Sequence, residues 1–513
     1  MITFIISIVA LILGYIIYGA VVERIVAPDD RVTPAMRLAD GVDYVAMPTW
    51  KVFMIQFLNI AGTGPIFGAI MGIWFGPAAF LWIVLGCIFA GAVHDYLSGM
   101  LSMRRDGANL PTLIGDYLGQ VARRVMLAFT VMLMLMVGAV FVYSPAIIMA
   151  GIVGSQEMWI VIIFIYYLIA AMLPIDKIIG KIYPVFAVSL LFMAVALMAI
   201  LFVKMPHLPE LWDMGNMTPW HQSLQVEGKD GLGIVAFMHK NPIFPCLFIT
   251  IACGAISGFH ATQSPLMARC LKSERLGRKI FYGSMITEGL VALIWASVSS
   301  YFFYAGGWRE VVPTEEVEAF LAQVPAGDGK TLIQYFSAPA VVKLVCTGWL
   351  GVFGGILAML GVVAAPITSG DTALRSARLI IAEAIHLPQK SIRNRLMICL
   401  PVFAAAFALL MWQISSPDGF NVLWNYFGWS NQTLSVFTLW ALTVYLARAG
   451  KSYVVTLIPA VLMTAVCAVF LLVSPQALSL PQWVTAPAAA AVAVVSLVWF
   501  YAWHRRATTE NSN

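Results

Sequence analysis

The sequence predicts an all-α polytopic membrane protein of about 13 transmembrane helices built around a five-plus-five inverted repeat. Three observations carry that prediction. Of 513 residues, 61% are hydrophobic and only 11% charged, with a mean hydropathy of +0.88, against roughly 25% charged in a soluble domain. Apolar runs of bilayer length recur along the chain. Two of them, Asn59–Ile70 (NIAGTGPIFGAI) and Ile251–Pro265 (IACGAISGFHATQSP), are interrupted by glycines and polar residues at membrane depth. A helix that only faces lipid has no use for such residues. Broken helices persist in a membrane where they line a site, which points to a transporter.

Windows of roughly 20 apolar residues mark spans at 3–22, 50–74, 77–100, 125–150, 158–173, 182–204, 243–266, 280–304, 340–366, 394–413, 427–448, 452–474 and 482–504. Of the 30 Lys and Arg residues, all but six fall in loops that follow odd-numbered spans; the exceptions are Lys204, Lys229, Lys240, Arg309, Lys330 and Lys343. Cytoplasmic loops concentrate basic residues, so the N-terminus is expected outside and the C-terminus inside. Spans two and seven then cross the membrane in opposite directions, as the first helices of the two repeats. The expected organisation is an N-terminal helix and linker (1–49), a repeat core (50–448), and two further helices with a short disordered tail (449–513).

The first apolar run has no basic residue ahead of it and reads as a retained anchor rather than a signal peptide. The net charge of +5 sits in interhelical loops and implies no nucleic-acid partner. Seven cysteines lie singly, without a C-x-x-C or Cys/His spacing, so no metal site, disulfide framework or cofactor is expected. The loops Met205–Pro242, with His207, Trp212, Trp220 and His221, and Ala305–Pro339 offer either an external lid or interfacial anchoring. Leu113–Arg124 reads as a short amphipathic helix on the cytoplasmic surface. No G-x-x-x-x-G-K-[ST] loop is present, so transport would be secondary.

At the two breaks, Asn59, Gly62, Thr63 and Gly64 on span two and Ser257, Gly258, His260 and Gln263 on span seven are the candidate substrate-binding residues. Half-helix N-termini suit a carboxylate and freed carbonyls suit a cation; close glycine packing between helices is the alternative. His260, central in its span, pairs with substrate, relays a proton, or simply bonds a backbone group. Glu288 lies about 12 Å along span eight, near the midplane, a candidate proton carrier or a structural partner for a neighbouring helix. His94 and Asp95 stand toward the inner end of span three, for proton release or interface anchoring. Span nine ends in Thr368, Ser369 and Asp371, which offer oxygen ligands to a hard cation or cap a following helix. Asn425 and the run Trp429–Thr433, with Ser430, Asn431 and Gln432, open span eleven and suggest a gate.

The blocks NIAGTGPIFG, GAVHDYLSG, SGFHATQSP, TSGDTALRSARL and YFGWSNQ together resemble the carbon starvation protein A family of bacterial membrane transporters. That resemblance implies uptake of peptides or pyruvate across the cytoplasmic membrane during nutrient limitation. It also implies a fold similar to the amino acid–polyamine–organocation transporters, in which Thr368 and Ser369 fall where sodium-coupled relatives bind their cation. The resulting expectation is a secondary importer of a small carboxylate nutrient, driven by a proton or sodium gradient. A nutrient sensor that binds without flux, docking a partner on the Arg269–Lys279 and Arg375–Arg395 loops, is the rival. A membrane enzyme would need a nucleophile or metal motif that the sequence lacks.

Overall fold

The computed structural model describes residues 1–510 except 152, 176–178, 218–219, 221–240, 314, 316–335, 417–418 and 476. The long helices are α1 (Ile2–Val26), α2 (Thr49–Ile60), α3 (Gly64–Phe75), α4 (Ala78–Arg104), α5 (Leu110–Leu118), α6 (Gln120–Ala150), α7 (Gln156–Met172) and α8 (Ile179–Lys204). They continue with α9 (Ile243–Thr250), α10 (His260–Ala268), α11 (Glu274–Tyr304), α12 (Ala338–Ala384), α13 (Ile392–Ser415), α14 (Gly419–Arg448), α15 (Val454–Val473) and α16 (Gln482–Ala507). Among the described residues, 9 helices are long and apolar enough to cross a membrane, or up to 10 with the bent pair α2–α3. Span seven is the α9–α10 pair, and α7 is a shorter apolar helix.

Both breaks have local causes. The axis bends by 53° between α2 and α3; Pro65 stands in the first turn of α3, where its missing N–H costs nothing. Between α9 and α10 the chain leaves the helix over 251–259, and Gly254 takes φ +90, a conformation that costs other residues dearly. The broken helices run antiparallel against each other. A Cβ on Gly64 would stand 2.2 Å from the Cys253 Cβ, and one on Gly68 2.9 Å from the Thr250 carbonyl. Glycine at 64 is what allows the two backbones to approach.

Several expected boundaries move. Span nine continues far beyond Pro366: α12 kinks at Gly351 (φ 66) and then runs unbroken to Ala384. Thr368, Ser369 and Asp371 therefore sit inside a helix, since Pro366 loses only one backbone bond. Arg375 and Arg378, expected in a cytoplasmic loop, are fully buried on the same helix. The Asp43 carboxylate draws them in, with Arg378 Nη2 at 3.0 Å and Arg375 Nη1 at 3.3 Å. The expected surface helix at Leu113–Arg124 is α5, which stops at Gly119 (φ 95); Arg123 and Arg124 belong to α6. The residues after Arg506 continue in helix to Glu510 rather than as a disordered tail. The lid reading falls largely on residues outside the described set, His221 among them.

Candidate functional site

The expected site residues converge at the α9–α10 break. α4 carries a π-helical turn over Cys87–Gly91 immediately before His94 and Asp95, a local widening that often marks function. His94 stands about 15 Å from the Arg104 end of α4 at 1.5 Å per residue, and both residues are fully buried. They face the protein interior rather than the outer surface of the bundle. His94 Nδ1 lies 2.8 Å from Asp95 Oδ1, and Asp95 Oδ2 lies 2.8 Å from His260 Nδ1. His260 opens α10, and its Nε2 faces Glu288 Oε2 on α11 at 3.5 Å, an ion-pair separation without hydrogen-bond geometry. Four buried titratable side chains from three helices thus form one chain, His94–Asp95–His260–Glu288. Among the described residues, His94 Nε2 and both Glu288 oxygens have no hydrogen-bond partner.

The unwound segment is held by α14. Asn431 Oδ1 accepts from Ser257 Oγ at 3.0 Å and from the Phe259 backbone N–H at 2.6 Å. Gln432 Nε2 donates to the Phe248 carbonyl at 2.8 Å. Backbone groups freed by unwinding in a membrane must find such partners. Asn425 and the run 429–433 therefore lie well inside α14 rather than at its opening. Gln263 Nε2 donates to Thr262 Oγ1, and its Oε1 has no partner among the described residues.

At the span-two break, the side chains of Gln56, Asn59 and Thr63 are buried without hydrogen-bond partners among the described residues. Ser369 Oγ stands 3.0 Å from the Leu58 carbonyl and 3.1 Å from that of Asn59, an oxygen cluster of the kind a hard cation takes. The Thr368 hydroxyl is turned back to the Ala365 carbonyl of its own helix. Asp371 is drawn elsewhere: its Oδ2 accepts from Tyr183 OH at 2.5 Å and Tyr166 OH at 3.0 Å. The break lies between two polar clusters, for a Cβ on Gly62 would stand 3.3 Å from Ser369 Oγ while Gly64 abuts Cys253.

One grouping was missed in the sequence. Cys253, His260 and Glu288 bring a thiol, an imidazole and a carboxylate within 4.8 Å of one another, donors that would suit a thiophilic divalent cation. Their spacing along the chain gives no sign of it, because Glu288 arrives from another helix. The tyrosines that hold Asp371 were also missed, since tyrosine in an apolar span reads as an interfacial anchor.

These features define a class: a polytopic helical membrane protein with paired discontinuous helices, the arrangement in which transporters build their sites. The overall fold matches the crystal structure of a manganese transporter from Eremococcus coleocola with a TM-score of 0.52 at 14% identity, covering 91% of this chain and 99% of that one. The carbon starvation protein CstA family model matches residues 1–153 and 142–470, and this chain belongs to that family. Among its relatives, an uncharacterized membrane protein of Haemophilus influenzae is 44% identical over 59% of this chain and 91% of its own. The peptide transporter CstA of Campylobacter jejuni is 26% identical over 88% of this chain and 76% of its own.

Proposed function

We propose that this protein is a proton-coupled secondary importer of small peptides in the bacterial cytoplasmic membrane, with its N-terminus outside and its C-terminus in the cytoplasm. The observation that carries the reading is the His94–Asp95–His260–Glu288 chain beside the paired helix breaks. Charge at bilayer depth is costly and is kept where it works. An imidazole flanked by two carboxylates passes a proton between its two nitrogens. Glu288, which faces His260 without a hydrogen bond, is the proton's resting place; Asp95 orients the His260 ring, and His94 leads the proton away along α4.

The substrate lies between the breaks. Its polar groups meet Asn59, Thr63 and Gln263, whose side chains retain unmatched hydrogen-bonding capacity, and the N-terminus of α10 offers positive dipole to its carboxylate. Ser257 and Gly258 form the wall that Asn431 holds, with Ser430 and Gln432 on the same helix able to gate it. In this reading 50–448 is the transport core, flanked by 1–49 and 449–513. Peptide is favoured over pyruvate because the named relatives are peptide transporters. Uptake of labelled dipeptide and labelled pyruvate into proteoliposomes under an imposed proton gradient tests it; sodium dependence without proton dependence would move coupling to Ser369.

A further inference from the structure

A cavity lies beyond the span-two break, with a volume of about 510 Å³, within the size range of small-molecule sites. Its walls come from α3 (Phe67 and Trp74 among them), from Tyr143 and Ile147 of α6, from 336–339 around the start of α12, and from the facing ends of α13 and α14. Among the described residues that line it, none is charged. One polar side chain stands out. Gln413, near the end of α13, is 2% exposed, and neither its amide nitrogen nor its oxygen has a partner among the described residues. Leaving such a group unmatched is costly, and an orphan of this kind calls for an explanation.

Aromatic rings connect the cavity to the break. Phe420 stacks on Trp424 at 5.8 Å, and Phe67 meets Trp424 at 5.9 Å. Trp424 contacts Phe427 at 5.7 Å, which contacts Phe141 at 5.8 Å. The Phe141 ring lies 2.8 Å from where a Cβ on Gly62 would stand. The row therefore runs from the cavity wall to the candidate binding residues.

We propose that this cavity is a peptide subsite: the Gln413 amide pairs with a backbone amide of the substrate, and the Phe67–Trp424–Phe420 wall receives a large apolar side chain. The inference rests on the peptide-importer reading and deepens it. A primary amide offers a donor and an acceptor to the matching pair on a peptide bond, and aromatic walls reward apolar contact without demanding charge. The charged ends of the peptide are left to the polar break. A three-carbon keto acid has neither the amide nor the side chain to use such a subsite.

The test uses full-length protein in proteoliposomes, with Phe-Ala, Ala-Ala, and a Phe-Ala analogue whose peptide bond is an ester. Wild type is expected to take up Phe-Ala with a KM about tenfold below those of Ala-Ala and the ester, a factor equivalent to about 1.4 kcal/mol. Gln413→Leu should erase the difference between amide and ester, and Trp424→Ala the difference between Phe-Ala and Ala-Ala. The milder Gln413→Met and Trp424→Phe give the same readouts in part if the first pair fails to fold. Equal KM values for all three substrates in wild type, or preferences untouched by either substitution, would overturn the subsite while leaving peptide import intact. Failure of every dipeptide to accumulate would overturn the importer reading itself.

Discussion

Asp95 Oδ2 stands 2.8 Å from His260 Nδ1, tying the middle of α4 to the residue that opens α10 after the break. The same carboxylate holds His94 through its other oxygen. Asp95→Asn keeps the shape but removes the charge that fixes both rings. Proton-driven uptake should fall at least about 100-fold, in line with the loss of a group that orients a proton-transferring histidine. Substrate binding, read by equilibrium titration, should change by less than tenfold. Intact accumulation by this variant would remove Asp95 from the coupling path.

Cys253 sits beside His260 and Glu288 but is not needed to move a proton along the chain. Cys253→Ala should retain proton-driven uptake within about threefold, because it opens a small void where Gly64 packs and gives up only the weak sulfur contacts to Ser257 Oγ at 3.6 Å and Asn431 Nδ2 at 3.8 Å. Loss of uptake together with loss of a stoichiometric bound Zn²⁺, measured by elemental analysis of the purified protein, would instead make the trio a metal site.

Asn431 accepts two hydrogen bonds from the unwound segment, one of them from the Phe259 backbone. Asn431→Leu leaves those donors unmatched in the membrane, and the cost should be about 2–4 kcal/mol. The thermal midpoint in detergent should drop, and uptake with it. Asn431→Asp, which keeps the acceptor, should recover more of the stability than Asn431→Leu.

Asp43 lies in the linker between α1 and α2 and is nearly fully buried against α12. Burial alone would push its carboxyl up, but the charges of Arg378, Arg375 and Arg269 outweigh that and hold it below the usual carboxylate range. A depressed folded value contributes stability that is complete above the unfolded value, roughly 3.9, and is lost as pH falls through the folded one. Asp43→Asn leaves two buried guanidiniums uncompensated and should cost about 3–5 kcal/mol at neutral pH. The gap between variant and wild type in chemical denaturation should narrow below about pH 4.

Composition and the two glycine-broken stretches made the fold class legible, because both reflect the bilayer as solvent rather than any particular packing. Glu288 and His260 were legible as single polar residues at membrane depth. Their partnership was not, since His94, Asp95, His260 and Glu288 come from three helices whose relative rotation no local pattern encodes. Arg375 and Arg378 read as loop charges because a basic residue after an apolar run usually is one; only the distant Asp43 explains their burial. Thr368 and Ser369 are neighbours in sequence, yet a 100° step around the helix sends Ser369 to the Leu58 carbonyl and leaves Thr368 on its own backbone. Gln413 gave no signal at all, since a lone amide near a helix end is ordinary until its surroundings are known.

Glu288→Gln tests the central claim most directly, in proteoliposomes loaded and assayed for both net accumulation and substrate exchange. Gln matches the shape of the buried carboxyl but carries no exchangeable acid proton. The predicted result is loss of proton-driven dipeptide accumulation with exchange of labelled for unlabelled dipeptide preserved. Accumulation that persists in this variant, with its dependence on the imposed proton gradient unchanged, would contradict the account.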